Sequence, residues 1–482
     1  MSKLTHIRGA SIVSMDDSIG DLPKGDILIE GDRIAAVATI LDVGDTYAEV
    51  IDASGMIASP GFCDTHRHTW QTQLKGVAVD WSLFDYACLM RTIYSVCYTP
   101  DDAYLGNYLG AIEAINSGIT SVVDHSHLQM TEAHSDALAQ GLIDSGVRGV
   151  FCYGFYRNPV YTPGDSLNIP DIIAEVAGPL SGFHKDNAAR IRDTHFPSQD
   201  GLVRFGISTS ELCTFSDPKQ VTDEIAFARQ LEPALISSHV GMGLNEGFRI
   251  IPILHEAGQL ADDLLFVHGA YLTDGDLALL KQHGGWTSTT PETELQMGMG
   301  YPVLERVEAS GRTPSLGIDI VSNYAGDMFA QMRLMLQTMR FRDFETAGAG
   351  IPISSRYAAR KMLKFATLGG ATVMGLDRVT GSLTPGKKAD IVLTRTDSIN
   401  MSPVTDPVAA LIFYAHASDV DSVFIDGVAR KRNGTIVGFD WAGQQKRLRN
   451  SAEAISQKFR LVPQDAVRQA WAPYWGLERA PA

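Results

Sequence analysis

The feature that most constrains the fold is a regular alternation of short apolar runs and helical segments through the middle of the chain. Eight such runs occur before residue 324: MIASPGFCDTH, ITSVVDHSH, VRGVFCYGF, VRFGISTSE, ALISSHVG, LLFVHGAYL, GGWTSTTP and PSLGIDIVSN. Eight β-α units over about 310 residues predict an α/β protein with a (β/α)8 TIM barrel. An open doubly wound sheet is the alternative, but no GxGxxG motif follows the first run.

Capping signals mark the helices between these runs. Thr99 precedes Pro100 and two acidic residues, the pattern of an N-cap with proline at the first helical position. An apolar face then repeats at helical period until Gly118, which predicts the end of that helix. Thr273 and Gly284 bound a second helix in the same way.

Both ends of the chain are typical of β structure. GDILIEGDRIAAVA near the N-terminus predicts a hairpin, and the Asn433-Gly434 pair near the C-terminus predicts a tight turn between two further strands. We expect residues 1–57 and 373–440 to form one small composite β-sandwich domain. The barrel then occupies residues 58–372, and residues 441–482 form a helical tail.

Composition and charge limit the partners. Apolar residues make up 45% and charged residues 20% of the 482, which is ordinary for a globular protein. The formal net charge of -16 argues against nucleic acid or an anionic membrane surface. Neither a signal peptide nor an apolar membrane span is apparent in the sequence. Five scattered cysteines without a CxxC pair predict free thiols and a cytoplasmic location: Cys63, Cys88, Cys97, Cys152 and Cys213.

Metal-ligand side chains stand at the ends of several predicted strands. His66 and His68 are two residues apart at the end of the first strand, so both imidazoles point to one side. His239, His268 and Asp319 end the fifth, sixth and eighth strands. Barrel enzymes keep their chemistry at this end of the strands. Each residue alone could be an ordinary capping or hydrogen-bonded group, but together they predict a catalytic metal site.

The expected cofactor is one divalent ion, zinc first, with iron or manganese as alternatives. Such an ion lowers the pKa of a bound water and so provides a hydroxide nucleophile at neutral pH. Asp319 is placed to accept the water proton as well as to bind the ion, and His268 to polarise the oxygen of the adduct.

The chain resembles the amidohydrolase superfamily, in the branch of cytosine deaminase-like and s-triazine hydrolase-like (chlorohydrolase) enzymes. The resemblance covers nearly the whole chain and is carried by SPGFCDTHRHTWQTQLKG, HVG, VHGAYLTDGDLALL, LGIDIVSNYAGDMFAQMR and ATVMGLDRVTGSLTPGKKADIVL. It implies a barrel with a composite β-sandwich and one divalent metal. The implied metal ligands are His66, His68, His239 and Asp319, with His268 as a weak fifth ligand or a hydrogen-bond partner of the water. The implied substrate contacts are Gln71, Trp70 and Asn323.

The sequence departs from that family at residues that handle protons and substrate. Deaminases of this branch carry a glutamate three residues after the fifth-strand histidine, where this chain has Met242. The fourth strand lacks the family's pocket histidine and ends in Thr209, Ser210 and Glu211. The same strand has no lysine, which argues against a bridged second metal ion; Glu211 could bridge in principle.

Other side chains could bind the substrate or replace the missing acid. His125 and His127 follow the second strand, and Glu292 and Glu294 follow the seventh. Ordinary loop residues are the alternative for all four. The aromatic residues Trp81, Tyr86 and Trp286 are further candidates for the pocket wall, with plain packing as the more common role of an aromatic side chain.

We predict a mononuclear metal-dependent hydrolase that acts on a carbon–nitrogen bond other than a peptide bond. Deamination or amide or amidine hydrolysis of a small nitrogen-rich heterocycle is the first expectation. Because of Met242, the alternative is altered chemistry at the same metal, such as carbamate or alkylamine hydrolysis or a lyase-type cleavage; a non-catalytic scaffold is a remote alternative. The HxE…PCxxC and HExxH zinc motifs are absent. We expect a small-molecule substrate and a homodimer or homotetramer.

Overall fold

The computed structural model describes residues 4–43, 48–212, 217–243, 249–348 and 352–477; Cys213 lies outside them. The strands within these residues are β1 (Leu4–Val13), β2 (Asp21–Glu30), β3 (Arg33–Ala38), β4 (Glu49–Asp52), β5 (Met56–Pro60), β6 (Phe62–Arg67), β7 (Ile119–Ser126), β8 (Arg148–Gly154), β9 (Val203–Ser208), β10 (Ile236–Val240), β11 (Leu264–His268), β12 (Trp286–Thr289), β13 (Ser315–Leu316), β14 (Ile391–Arg395), β15 (Val420–Ile425), β16 (Val428–Arg432) and β17 (Thr435–Ile436).

The α-helices of the described residues are α1 (Leu83–Asp85), α2 (Ser95–Cys97), α3 (Pro100–Asn116), α4 (Glu132–Ser145), α5 (Ile169–Val176), α6 (Gly182–His195), α7 (Pro218–Gln230), α8 (Ile250–Glu256), α9 (Asp274–His283), α10 (Pro291–Gln296), α11 (Leu304–Ser310), α12 (Met328–Thr346), α13 (Ala359–Lys364), α14 (Gly370–Val373), α15 (Pro407–Phe413), α16 (Trp441–Phe459) and α17 (Gln464–Trp471). Helices of the 3₁₀ type lie at Thr69–Leu74, Ala417–Asp419 and Ala472–Trp475, and π-helices at Tyr86–Tyr94 and Phe365–Gly369. No helix of these residues is long and apolar enough to cross a membrane.

The predicted barrel is confirmed. Strands β6 to β13 form one parallel sheet in sequence order. The last strand returns to the first, since Asp319 N donates to His66 O at 2.8 Å and His68 N donates to Asp319 O at 2.8 Å. Both faces of these strands are covered, which explains why they appear in the sequence as continuous apolar runs. Sequential strand order around a closed sheet excludes the doubly wound alternative.

The first predicted strand is two strands, so that part of the prediction was wrong. Pro60 ends β5, which pairs with β1 and β14 outside the barrel, and β6 begins at Phe62. Gly61 makes the passage between them, and a Cβ there would lie 2.1 Å from Thr120 Oγ1. The close approach of the Thr120 side chain therefore requires glycine at this point.

The second sheet is built from both terminal regions, as predicted. Its order is β17-β16-β15-β14-β5-β1-β2-β3, with β4 beside β1. The β2–β3 hairpin is confirmed, and Asn433 and Gly434 both take positive φ in the β16–β17 turn, at 50° and 75°. The domain boundaries given above stay predictions; β5 spans residue 57.

The helical signals are confirmed where they can be compared. Thr99 and Asp102 form a capping box at the start of α3, and Thr273 and Asp276 form another at the start of α9. Helix α3 ends at Asn116, just before Gly118. The predicted amphipathic helix of the tail is α16.

The tail packs against the segments that follow the first barrel strand. Phe459 of α16 stacks on Tyr94 with ring centroids 4.2 Å apart, and Trp471 Nε1 donates to Thr92 Oγ1 at 2.8 Å. Lys458 Nζ donates to Cys97 O at 2.8 Å. These contacts fix the π-helix Tyr86–Tyr94, whose residues reach the barrel mouth.

A buried ion pair joins the barrel to the second sheet. Arg148 opens β8 and donates to both carboxylate oxygens of Asp390, at 2.6 and 3.1 Å. Asp390 stands immediately before β14, and its side chain is fully buried. Asp426 accepts a further hydrogen bond from Arg148 at 2.9 Å. Removal of one partner from a buried pair leaves an uncompensated charge, which costs more than the pair contributes.

We expect Asp390→Asn to lower the free energy of unfolding by about 3 kcal/mol, because the buried Arg148 loses its bidentate partner. Thermal unfolding followed by circular dichroism measures the effect. Asp397→Asn is the control, since Asp397 is exposed just beyond β14. Equal unfolding midpoints for the two variants would contradict this assignment.

Candidate active site and metal centre

Three histidines and an aspartate converge at the carboxyl end of the barrel strands. Asp319 Oδ1 lies 3.3 Å from His66 Nε2 and 3.4 Å from His68 Nε2. His66 Nε2 also lies 3.3 Å from His239 Nε2. All four side chains are buried. The sequence therefore identified residues that the fold brings to one point, although they are up to 253 residues apart.

The other ring nitrogen of most of these histidines is held by a specific partner. His68 Nδ1 donates to the carbonyl oxygen of His125 at 2.8 Å, and His239 Nδ1 donates to the Glu211 carboxylate at 3.2 Å. A proton fixed on Nδ1 leaves the lone pair on Nε2. This is the arrangement that metal-binding histidines have in proteins, since the outer partner sets the tautomer and the ring orientation.

The charge state of the cluster fits a divalent ion. Burial, reinforced by neighbouring histidines, holds the pKa values of His66 and His68 well below the usual value, so both rings are neutral. Imidazole nitrogens and one carboxylate oxygen then face each other, which is a donor set that suits a divalent ion. Two groups could hold an ion, and they share His66: His66, His68 and Asp319, and His66, His125 and His239.

His268 lies just outside both groups. Its ring centroid is 5.6 Å from that of His66. His268 Nδ1 donates to Thr290 Oγ1 at 3.0 Å, and Thr290 Oγ1 in turn donates to Glu294 Oε1 at 3.3 Å. Burial opposes its protonation, but the hydrogen bond with Glu294 and the charge of Asp319 together raise the pKa of His268. The ring is thus suited to hold a proton beside the ligand cluster.

Two of these residues have strained backbones. His268 and Asp319 are not glycines, yet their φ angles are 72° and 70°. Left-handed backbone at such residues costs about 1–3 kcal/mol and is concentrated at functional sites. His268 is the last residue of β11 and Asp319 lies three residues after β13, so both strained positions are at the barrel mouth.

The functional role of Glu211 and the presence of Arg91 were missed by the sequence analysis. Arg91 Nη1 donates to Glu211 Oε1 at 2.6 Å, and the guanidinium lies 3.1 Å from the Tyr156 ring centroid. Although burial opposes ionisation, His239 and Arg91 hold the pKa of Glu211 well below its usual range. Glu211 therefore orients His239 from behind. Arg91 is the single charged residue between Tyr86 and Tyr98, a signal that could have been noticed.

Gln71 and Trp70 position other side chains. Ser322 Oγ donates to Gln71 Oε1 at 3.1 Å, and Gln71 Nε2 donates to the Tyr86 hydroxyl at 2.5 Å, so the Tyr86 proton is free to donate elsewhere. Trp70 Nε1 donates to His127 Nδ1 at 3.2 Å. Indole nitrogen can only donate, so the proton of neutral His127 stands on Nε2. That atom is buried and has no partner among the described residues.

The remaining candidate substrate residues, Glu292, Glu294 and Asn323, have different surroundings. Glu294 is buried beside His268, whereas Glu292 accepts from Gln331 Nε2 of α12 at 2.6 Å. Burial and the charge of Asp327 raise the pKa of Glu292 to about 7. Both polar atoms of the Asn323 side chain are buried without a partner among the described residues.

Met242 is half-buried in the loop after β10, and residues 244–248 of that loop lie outside the described residues. Trp81 packs near Tyr94, with ring centroids 6.2 Å apart. Trp286 begins β12 and donates to Asp262 O at 2.9 Å, at the opposite end of the barrel. The expectation that Trp286 lines the pocket was therefore wrong.

A barrel of this kind, with a histidine and aspartate cluster at its mouth, defines a metal-dependent hydrolase architecture. The model of the amidohydrolase family matches residues 57–430, and the chain belongs to that family. The predicted family and enzyme class are confirmed: amidohydrolases are hydrolases of carbon–nitrogen bonds other than peptide bonds.

Relatives and solved structures agree with this assignment. The chain is 28% identical to a 5-methylthioadenosine/S-adenosylhomocysteine deaminase of Thermococcus kodakarensis over 419 residues, 84% of this chain and 89% of that protein. It is 27% identical to a 5'-deoxyadenosine deaminase of Methanothermobacter thermautotrophicus over 429 residues, 86% and 91% of the two chains.

Two solved structures share the fold. An adenosine deaminase from Xanthomonas campestris with bound zinc superposes with a TM-score of 0.80 at 20% identity, covering 94% of this chain and 98% of that one. Atrazine chlorohydrolase from Arthrobacter aurescens, complexed with zinc, gives 0.78 at 21% identity, covering 94% and 100%.

We expect Glu211→Gln to weaken metal binding by about 10–100-fold, as the loss of outer hydrogen-bond partners does at other metal sites. The amide can still accept from His239 Nδ1, but it removes the charge that fixes the ring and leaves Arg91 unpaired. Competition with a chelator measures the dissociation constant. Glu256→Gln, at the exposed end of α8, is the control. An affinity equal to that of the control would show that Glu211 does not support the metal centre.

Proposed function

We propose that this amidohydrolase removes an amino group by hydrolysis from a small nitrogen heterocycle of the amino-purine kind, free or as a nucleoside. The observation that carries the proposal is the convergence of neutral Nε2 atoms and Asp319 at the barrel mouth. The substrate class is supported by relatives that are named as deaminases of adenosine derivatives.

The residues that would hold a divalent ion are His66, His68, His239 and Asp319. When bound there, the ion lowers the pKa of a water towards neutrality and polarises the carbon under attack. We propose zinc, because imidazole and carboxylate ligands suit it and two structures of the same fold are described with zinc.

Asp319 and His268 are the residues that would handle protons in the reaction. The water oxygen bonds to the ring carbon, the bond to the exocyclic nitrogen breaks, and ammonia leaves with a proton from the water. Asp319 is placed to accept that proton and return it to the leaving nitrogen. His268, held by Thr290 and Glu294, donates to the oxygen that develops negative charge.

A hydrogen-bond donor for the ring nitrogen is needed because Met242 cannot provide one. We propose His127 for this role. Its ring packs on His68 with centroids 4.2 Å apart. Trp70 donates to its Nδ1, so the proton of the neutral ring is on Nε2, and Nε2 has no partner among the described residues. Arg91 lies nearby, and its Nε is also buried and unpartnered among those residues. Two donors on one side of the site favour a ring with acceptor atoms.

We also propose a cellular location and an assembly for this protein. A cytoplasmic location is supported by free, buried Cys63, Cys88, Cys97 and Cys152. A small-molecule substrate, with neither nucleic acid nor membrane as partner, is supported by the net charge of -16. A homodimer or homotetramer remains our proposal for the assembly, by analogy with the family.

The test is a screen for ammonia release. The protein is loaded separately with Zn²⁺, Fe²⁺ or Mn²⁺ and offered amino-purines, their nucleosides, amino-pyrimidines, pterins and triazines. We expect ammonia from at least one amino-purine compound, and none above background from His66→Ala, which lacks a central ligand. His283→Ala, at the exposed end of α9, is the control and should keep full activity.

If no ammonia is released with any of the three metals, the proposed deamination is wrong. Mass spectrometry of the same mixtures then decides whether an alkylamine, a carbamate product or another fragment is released, as the presence of Met242 allows.

His127→Phe should raise KM for the substrate about tenfold, because the ring keeps its packing on His68 but loses the Nε2 donor, and one hydrogen bond contributes about 0.5–1.5 kcal/mol. If the donor acts mainly in the transition state, kcat falls instead. Steady-state kinetics separates the two cases. Unchanged KM and kcat would remove His127 from the substrate site.

A further inference from the structure

Strand β6 contains a β-bulge between Asp64 and Arg67. Asp64 pairs with Val122 of β7 and Arg67 pairs with Asp124, so β6 uses one residue more than β7 over this stretch. A bulge takes one residue out of the hydrogen-bonded ladder and changes the direction of nearby side chains, and bulges are over-represented beside active sites. In this chain the bulge falls on the segment that contains His66.

The side chain of Asp64 holds the backbone at this bulge. Its Oδ1 accepts from the N–H of His66 at 3.3 Å and from the N–H of Ile318 at 2.9 Å. Asp64 is fully buried. Because Ile318 immediately precedes Asp319, one carboxylate oxygen joins the two backbone segments that carry His66 and Asp319, across the closure between the first and last barrel strands.

Asp319 needs this support because its backbone is strained, with a φ angle of 70°. Such a conformation persists only where the surrounding structure fixes it. Both backbone polar groups of the preceding residue, Ile318, are held by side chains: its N–H donates to Asp64, and its carbonyl oxygen accepts from the Tyr324 hydroxyl. Loss of Asp64 would release one of these two bonds and let Asp319 relax away from His66.

Arg67 supplies the positive charge that the buried Asp64 carboxylate needs. It is 1% exposed; its Nη1 lies 3.5 Å from Asp64 Oδ2, and its Nη2 lies 3.7 Å from Glu113 Oε2 of α3. Buried charges in proteins are paired, because an isolated one is costly. Gly326 leaves room for the guanidinium, since a Cβ there would lie 2.7 Å from Arg67 Nη2. The arginine of the HRH motif therefore pairs with the carboxylate that holds the bulge.

We propose that Asp64 is a positioning residue of the metal centre, with Arg67 as its counterion. Its carboxylate fixes the bulge at His66 and the strained backbone at Asp319 in a geometry in which both side chains face one point. Asp64 acts through two backbone N–H groups and is not one of the expected ligands. This inference rests on the metal centre of the proposed function, but not on its substrate.

The test compares Co²⁺ binding with fold stability in the full-length protein. Chelator competition measures the affinity, the visible absorption of Co²⁺ reports its coordination, and thermal unfolding of the metal-free protein measures stability. Asp64→Ala removes both hydrogen bonds, so we expect an altered spectrum and binding about tenfold weaker, as the loss of outer partners causes at other metal sites. Asp64→Asn keeps an oxygen acceptor but loses the charge paired with Arg67, so a smaller loss of affinity is expected.

Asp390→Asn is the matched control, because Asp390 is equally buried and paired with an arginine but lies where the barrel meets the second sheet. It should lower stability and leave the Co²⁺ affinity and spectrum unchanged. An Asp64→Asn variant with the affinity and spectrum of this control would overturn the proposal, even if Asp64→Ala does not fold. No Co²⁺ binding by the unsubstituted protein would instead overturn the metal centre of the proposed function, and this inference with it.

Discussion

The structure depends on the hydrogen bonds that close the barrel, because they are made by the backbone of the residues that form the site. Asp319 N donates to His66 O, and His68 N donates to Asp319 O. The first and last strands therefore meet at the candidate ligands themselves, and any opening of the sheet at this seam separates His66 and His68 from Asp319. The same hydrogen bonds close the barrel and hold His66, His68 and Asp319 together. Because these bonds fix the backbone of Asp319 on both sides, its strained conformation is tolerated.

Around this seam, His68, His239 and His268 are each held by a different outer partner. Glu211 holds His239, and Thr290 with Glu294 holds His268. Glu211 follows β9, Thr290 follows β12 and Glu294 lies in α10, so the cluster is fixed by several units of the barrel. Arg91 extends the arrangement outward, since it pairs with Glu211 and lies on the π-helix that the tail packs against. The tail thus affects the site indirectly: it packs on the π-helix, whose Arg91 pairs with Glu211, which in turn contacts His239.

The sequence analysis succeeded where one local signal has one structural meaning. Apolar runs buried on both faces, capping residues and the HxH pair lead directly to parallel strands, helix starts and two neighbouring imidazoles at the barrel mouth. It was wrong for the first strand, because a run of apolar residues does not reveal which of two sheets it joins. It was also wrong for Trp286, which stands at the start of β12 and not at its end, so the side chain is a full strand length from the mouth. Glu211 was named but its role was not, because the role depends on two partners that are distant in the sequence.

The sequence by itself determined the barrel, the composite second sheet and the residues His66, His68, His239, His268 and Asp319, because strand period and strand ends fix which side chains reach the mouth. Only the tertiary structure decided which hydrogen-bond partner each histidine has. His125 and His127 are equivalent in the motif DHSH, yet Ser237 lies beside one and Trp70 beside the other. Tautomers are set by hydrogen-bond partners across the fold, and no local pattern contains that information.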